Sequence, residues 1–203
     1  MKFRPASKTL LLIHVLFLSF RFRFSSTLLT FLFLSMLTPH EIFAKMPPPM
    51  AQGIFAFLHE QQKPLYKATL ETLAKTRKLR PVFIEKKPRS EQHAWLVEQL
   101  RKRINNDTAA HVLQIWLVGA HKTLLCDFLD GFGIAHDENG TVEILPEAPP
   151  SAELVKVIDS LRARYDSNLL AVYLNTFQSL DSEGWPTLDA LIREDPTLQL
   201  NAS

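Results

Sequence analysis

The sequence predicts a mainly α fold: a compact domain of six or seven helices around one buried central helix, with at most one small β-hairpin. Three observations carry this expectation. Apolar residues recur at helical spacing in one segment after another between residues 52 and 194. Thirteen prolines stand against six glycines, which suits helices bounded by proline better than a glycine-rich sheet. The run from Ala109 to Leu129 is apolar nearly all round, the pattern of a helix inside a domain.

The elements follow in order. Gln52–Gln62 is a short amphipathic helix, and Pro64 suits the first turn of the next, Leu65–Leu79. In that helix Tyr66, Leu70 and Leu73 share a face, with Lys67, Lys75, Arg77 and Lys78 on the wet side. Arg80-Pro81-Val82-Phe83-Ile84 reads as extended chain, because the residue before proline avoids helical geometry and Val-Phe-Ile favours strands. Ser90 is a candidate N-cap for a helix to Ile104. Asn105 to Thr108 stops it and caps the central helix Ala109–Leu129, about 30 Å long at 1.5 Å per residue. Pro149-Pro150-Ser151 opens a helix to Tyr165 with Leu154, Ile158 and Leu161 as its stripe. Asp166 or Ser167 caps the next, and Trp185-Pro186 leads into a last helix, Thr187–Glu194.

Residues 1–45 differ in composition from the rest and are set apart from the fold. They carry six basic residues and one acid, Glu41, with apolar runs at Thr9–Phe20 and Phe24–Leu37 split by Arg21-Phe22-Arg23. Each run is shorter than the roughly 20 apolar residues of a membrane-crossing helix, and arginine at mid-membrane is costly. A secretory signal would use Phe24–Leu37 as its apolar core and Ile42-Phe43-Ala44 as a poor cleavage site. A third reading starts translation at Met46, ahead of Pro47-Pro48-Pro49. The expected divisions are 1–45, a Pro-rich lead-in and short helix at 46–64, a helical domain at 65–195, and a tail at 196–203. A start near Met46 implies a cytoplasmic protein, whereas residues 9–44, if made, imply membrane anchoring or export. Cys126 is the only cysteine, so no intrachain disulfide forms.

Charge is unevenly spread. Residues 63–103 hold twelve basic and four acidic groups, net +8, while residues 104–203 hold five basic and fifteen acidic groups, net −10. The sequence pI near 8.7 therefore reflects the first 45 residues rather than the body.

FLDGFGIAHDENGTV, Phe128 to Val142, is the densest concentration of chemistry-bearing residues. Gly131 or Gly133 can end the central helix in a left-handed cap. Asn139-Gly140 signals a two-residue hairpin between Ile134-Ala135 and Thr141-Val142-Ile144. A calcium loop with Gly140 at its sixth place puts Ala135 first and Pro146 twelfth, where carboxylates are required, so that motif fails at both anchors. Asp127, Asp130, His136 and Asp137 are weak candidates for a metal or hydrolytic site, without a recognised spacing. His111 and His121 point about 80° apart on one helix and are not an adjacent metal pair. Cys126, between Leu125 and Phe128, reads as a small core residue. Asp127 and Asp130 in the last turn of a helix oppose its dipole. Arg101, Lys102 and Arg103, or Lys86, Lys87 and Arg89, are the expected partners to offset them.

The expected function is noncatalytic interaction with another macromolecule, in the first place another protein. Amphipathic helices, three tryptophans and a Pro-rich lead-in come without a catalytic constellation. Nucleic-acid or ribonucleoprotein association is the first alternative. Its contacts would be Lys75, Arg77, Lys78, Arg80, Lys86, Lys87, Arg89, Arg101, Lys102 and Arg103, with Phe83 to stack on a base. A metal-dependent hydrolase using Asp127, Asp130 and His136 is the second. The residues imply no cofactor, assign no catalytic group, and lean away from an enzyme. A membrane would be met only through residues 1–45.

Overall fold

Proline sets the rhythm of this chain. Seven of the ten α-helices among the described residues carry it at the N-cap or in the first two helical positions, where its missing N–H is no loss and its fixed φ suits the helix. The computed structural model describes residues 36–140, 142, 146–180 and 184–200. The helices are α1 Pro39–Lys45, α2 Pro48–Gln61, α3 Lys63–Thr76, α4 Pro81–Glu85, α5 Arg89–Leu100, α6 Asn106–Ala120, α7 Lys122–Gly131, α8 Ser151–Arg162, α9 Ser167–Leu180 and α10 Pro186–Glu194. A 3-10 turn, Arg103–Asn105, joins α5 to α6. The mainly α class holds, and no strand occurs among the described residues. One arm of the expected hairpin, Ile134-Ala135, is coil. Thr141 and Ile144 of the other arm lie outside the described residues, as do residues 1–35 and the readings placed on them.

Ten helices replace the expected six or seven for three physical reasons. The first is α1, within the segment set apart from the fold. Thr38 opens it by donating from its N–H and Oγ1 to Glu41 Oε2, at 2.8 and 2.6 Å. These bonds, the hydroxyl's first, hold the Glu41 carboxyl below its usual range. Ile42, Phe43 and Met46 are fully buried, and α1 packs against α5, α6 and α9. Arg101 Nε donates to Phe43 O at 3.2 Å, placing a cation on the carbonyl end of α1. The fold therefore begins before residue 45, not after it.

The second is α4, where an extended crossover was expected. Arg80 is extended, as the residue before proline must be. Pro81 then serves as the first helical residue, and Ile84 turns into the core. The local β preference of Val-Phe-Ile yields to that single buried contact.

The third is the central run, which is two helices and not one. Between α6 and α7 the chain turns by 85° at His121. Gly119 lies against the Phe57 ring of α2, where a Cβ would stand 2.7 Å from Phe57 Cζ. Trp116 meets the His121 ring edge-on at 4.6 Å. The sequence looks apolar all round because each arm buries its own face: Val112, Leu113, Trp116 and Leu117 from α6, then Leu124, Phe128 and Leu129 from α7. No single helix among the described residues is long and apolar enough to cross a membrane, and only this bent pair reaches that length together.

Beyond the bend, Phe128 gathers Phe132, Tyr173, Phe177 and Trp185 at ring separations of 5.1–5.8 Å. Asp166 Oδ1 accepts from Leu169 N–H at 3.0 Å and caps α9 as expected. The segment after residue 195 is not a loose tail as far as Leu200. Leu198 and Leu200 are buried, and Asn175 Nδ2 donates to Leu198 O at 2.9 Å.

Candidate functional site

The stretch Phe128 to Gly140 is resolved into caps and turns. Phe132 closes α7, Gly133 takes φ +64°, its N–H bonds Asp130 O, and Ile134 N–H reaches back to Leu129 O at 3.0 Å. This is a Schellman cap with glycine at the position that demands it. Gly140 N–H bonds Asp137 O at 3.0 Å and Asn139 N–H bonds Asp137 Oδ1 at 2.8 Å, so Asp137 to Gly140 forms a self-contained turn.

The four acid and histidine candidates part company. Asp127 accepts from Arg164 Nη1 at 2.8 Å and from the Tyr165 hydroxyl. Burial first, then the bond to Asp127, pushes the Tyr165 phenol up to about 12. Asp130 instead meets His136 Nε2 at 3.1 Å, while His136 Nδ1 faces Asp137 O at 2.7 Å. The Asp137 carbonyl, then the Asp130 carboxylate, raise the His136 pKa. Among the described residues no three His, Cys, Asp or Glu side chains gather as metal ligands. His111 is exposed on α6, and His121 sits at the bend beside Trp116 rather than along one helix with it. Cys126 is half-buried and unpaired by disulfide.

The partner of Asp127 also corrects an expectation. It is Arg164, just after α8, and not a cation from 86–89 or 101–103. No ion pair among the described residues joins the basic segment 63–103 to the acidic segment after it. Lys67–Glu71, Lys87–Glu91 and Arg101–Glu98 lie within the first. Arg162–Asp159, Arg162–Asp195, Arg164–Asp127 and Arg193–Asp189 lie within the second.

The ten basic candidates divide into two groups. Arg89, Arg101, Lys87 and Lys102 are engaged: Arg89 with Tyr66 and Gln92, Arg101 with α1, Lys87 with Glu91, and Lys102 with Gln99 Oε1 at 3.0 Å. Lys75, Arg77, Lys78, Arg80, Lys86 and Arg103 are exposed, and their side chains have no hydrogen-bonding or ionic partner among the described residues. Five of these six flank α4. At the same corner Phe83 is 60% exposed, and Leu79 and Val82 are each 42% exposed. Lys78 is the one non-glycine residue of positive φ among the described residues, at 55°. It closes α3 in a Schellman cap, its N–H on Lys75 O and the Leu79 N–H on Ala74 O, both at 2.9 Å.

A second feature was invisible from the basic run alone. A pocket of about 270 Å³ opens between the end of α2, the first turns of α3 and the start of α5, walled by His59, Lys63, Tyr66, Lys67, Arg89 and Gln92. Of these only Arg89 stood out in the sequence. The others are spread over three helices, and no short spacing signals their meeting. The large aromatics sit elsewhere: Trp185 is buried, with Nε1 donating to Pro146 O at 3.2 Å, and Trp95 packs on the core.

Comparison with known proteins returns no match: no family model, no curated protein and no solved structure is significantly similar to this chain.

Proposed function

We propose that this chain is a noncatalytic binding module that engages an acidic protein partner through the corner formed by the end of α3, α4 and the start of α5. The observation that carries the reading is the state of the cations there. Lys75, Arg77, Lys78, Arg80 and Lys86 flank exposed Leu79, Val82 and Phe83, and no acid among the described residues pairs with them. Cations ringing an apolar centre match the anatomy of an interface, with an apolar core and a polar rim. The partner's chemistry follows from it: carboxylates for the rim and an apolar cleft for Phe83. Two of the three exposed apolar side chains are aliphatic. They add nothing to stacking on bases but bury fully in a protein cleft, which favours protein over nucleic acid.

Nucleic acid is the second reading, supported by the same cations and by Phe83 as a stacking platform. A hydrolase using Asp127, Asp130 and His136 is less well supported, because Asp127 is taken up by Arg164 and Tyr165 while only Asp130 meets His136. A photo-crosslinking amino acid placed at residue 83, with residue 156 of α8 as control, tests the proposal in native cells. The expected result is a discrete protein adduct at 83 alone that is lost when Lys75 and Arg80 are changed to Glu. Adducts of nucleic acid would transfer the site to the second reading, and equal labelling at both positions would remove both.

A further inference from the structure

We infer that the pocket between α2, α3 and α5 is a binding site for a small phosphorylated, hydroxyl-bearing molecule, its phosphate monoester held by Arg89, Lys63 and Lys67. This goes beyond the proposed protein interaction and does not rest on it.

Charge comes first. The lining carries Lys63, Lys67 and Arg89 against one carboxylate, Glu85, and the one acid that pairs with them among the described residues is Glu71, whose exposed contact with Lys67 is long at 3.9 Å. Lys63 and Lys67 stand one turn apart on the face of α3 that lines the pocket with Tyr66 and Leu70.

Preorganisation is the second and stronger point. Gln92 is 4% exposed, and both ends of its amide are fully used. Its Oε1 accepts from the Tyr66 hydroxyl at 3.0 Å and from Arg89 Nη1 at 2.8 Å. Its Nε2 donates to Glu85 O at 3.0 Å and Lys87 O at 2.7 Å. Gln92 therefore has nothing left for a ligand and acts as a positioning residue for the two groups that do. Arg89 is held by Nη1 alone, with a second approach to the Tyr66 oxygen at 3.4 Å and its Cζ 5.7 Å from the Tyr66 ring centroid. Its Nε and Nη2 hydrogens have no acceptor among the described residues. A guanidinium fixed in this way loses little freedom when it forks onto an oxyanion.

Size and shape narrow the class. About 270 Å³ is roughly nine water volumes at about 30 Å³ each. That holds a phosphate and a body of pentose size but not a folded chain. Three cations suit the three oxygens of a dianion, where a carboxylate needs only one fork. Leu70 and the Tyr66 ring offer an apolar wall to the body. Glu85 repels a second anion and is placed to accept a hydroxyl.

The test is titration calorimetry on the full chain with inorganic phosphate, ribose 5-phosphate and ribose, with amide chemical shifts to locate the contact. Ribose 5-phosphate is expected to saturate at millimolar concentration or below and to shift Tyr66, Lys67 and Gln92, while ribose does not bind. Arg89→Gln leaves the Tyr66–Gln92 bond in place, so it should fold and bind about tenfold more weakly. The exposed pair Lys63→Gln and Lys67→Gln gives the same readout without touching the buried amide. Phe83→Ser, which removes the apolar centre of the α4 corner, should leave the affinity unchanged, so the two proposals fail separately. Absence of saturation by ribose 5-phosphate at about 10 mM, or wild-type affinity in both the Arg89 variant and the lysine pair, overturns the inference.

Discussion

Replacing Lys78 with glycine should make this protein more stable and a worse binder. Lys78 holds the left-handed position of the cap that closes α3, at φ 55°. An L-residue there costs about 1–2 kcal/mol relative to right-handed backbone. Glycine escapes that cost but loses about 0.5–1 kcal/mol more backbone entropy on folding. The net gain for Lys78→Gly is about 0–1.5 kcal/mol, centred on about 0.75, a rise in Tm of up to about 6 °C for a domain of this size. No internal contact is lost, because the Lys78 side chain has no partner among the described residues. The assay is thermal unfolding followed by circular dichroism, run beside the crosslinking experiment. A Tm below that of the parent refutes the left-handed cap. An unchanged adduct at residue 83 removes Lys78 from the proposed α4 binding surface.

Other consequences follow from the same structure. Phe43→Ala should cost about 3–5 kcal/mol, and a chain begun at Met46 should lose about 3–6 kcal/mol with the burial of Ile42 and Phe43. A urea midpoint for the Met46 chain equal to that of the full chain would remove α1 from the core. Gly131→Ala should cost about 1–3 kcal/mol, since its Cβ would stand 2.6 Å from Val157 Cγ1, a stiff β-branched neighbour. Val157→Ala in the same chain should recover part of that loss, and strictly additive costs would mean the two helices do not meet there. Burial first, then Arg89 and His59, lower the His93 pKa from its ordinary 6.5. The unfolded chain then takes the proton more readily, so the contribution of His93 to stability is present above about pH 6.5 and lost as pH falls through the folded value. His93→Leu should lessen the fall of the urea midpoint between about pH 7.5 and 5.5, part of which His121, also lowered by burial, retains, and a variant as pH-sensitive as the parent would exclude His93 as a source.

Periodicity made the helical class legible, and the proline positions marked most helix starts. What it could not show was direction. The Ala109–Leu129 run has no breaker stronger than Gly119, and an apolar surface looks the same whether one straight helix or two arms of a corner bury it. The bend depends on where Phe57 of α2 lies, a contact far away in sequence. Residues 39–45 were hidden by their neighbours, because an apolar, acid-poor segment upstream lends them its character, whereas Thr38 and Glu41 already carry the capping pattern at the right spacing. Arg80 to Ile84 failed for the opposite reason: local β propensity was read correctly but yielded to a proline-initiated turn. At the candidate sites, the cations of the α4 corner were legible as a run. The pocket was not, since Gln92, which organises it, carries no charge and no motif.

The fate of the charge asymmetry decides what can be asked next. In a helical chain most ion pairs form at i,i+3 or i,i+4, so charges segregated along the sequence find partners only among their own kind of neighbourhood. The pairs here follow that rule or, like Arg164–Asp127 and Arg162–Asp195, stay within the acidic segment. The excess of the basic segment is therefore not neutralised by ion pairs among the described residues, and salt dependence separates the two proposed kinds of partner. If Lys75, Arg77, Lys78, Arg80 and Lys86 each met a phosphate, log K would fall against log salt with a slope of about −3.5 to −4.5. Val82→Ser would then change little, because an aliphatic side chain contributes nothing to phosphate contact. An acidic protein gives a shallower slope, since no condensed counterions are released from it. There Val82→Ser should weaken binding by about threefold to tenfold as part of the apolar centre is lost. A steep slope together with indifference at Val82 would reverse the order of the two readings.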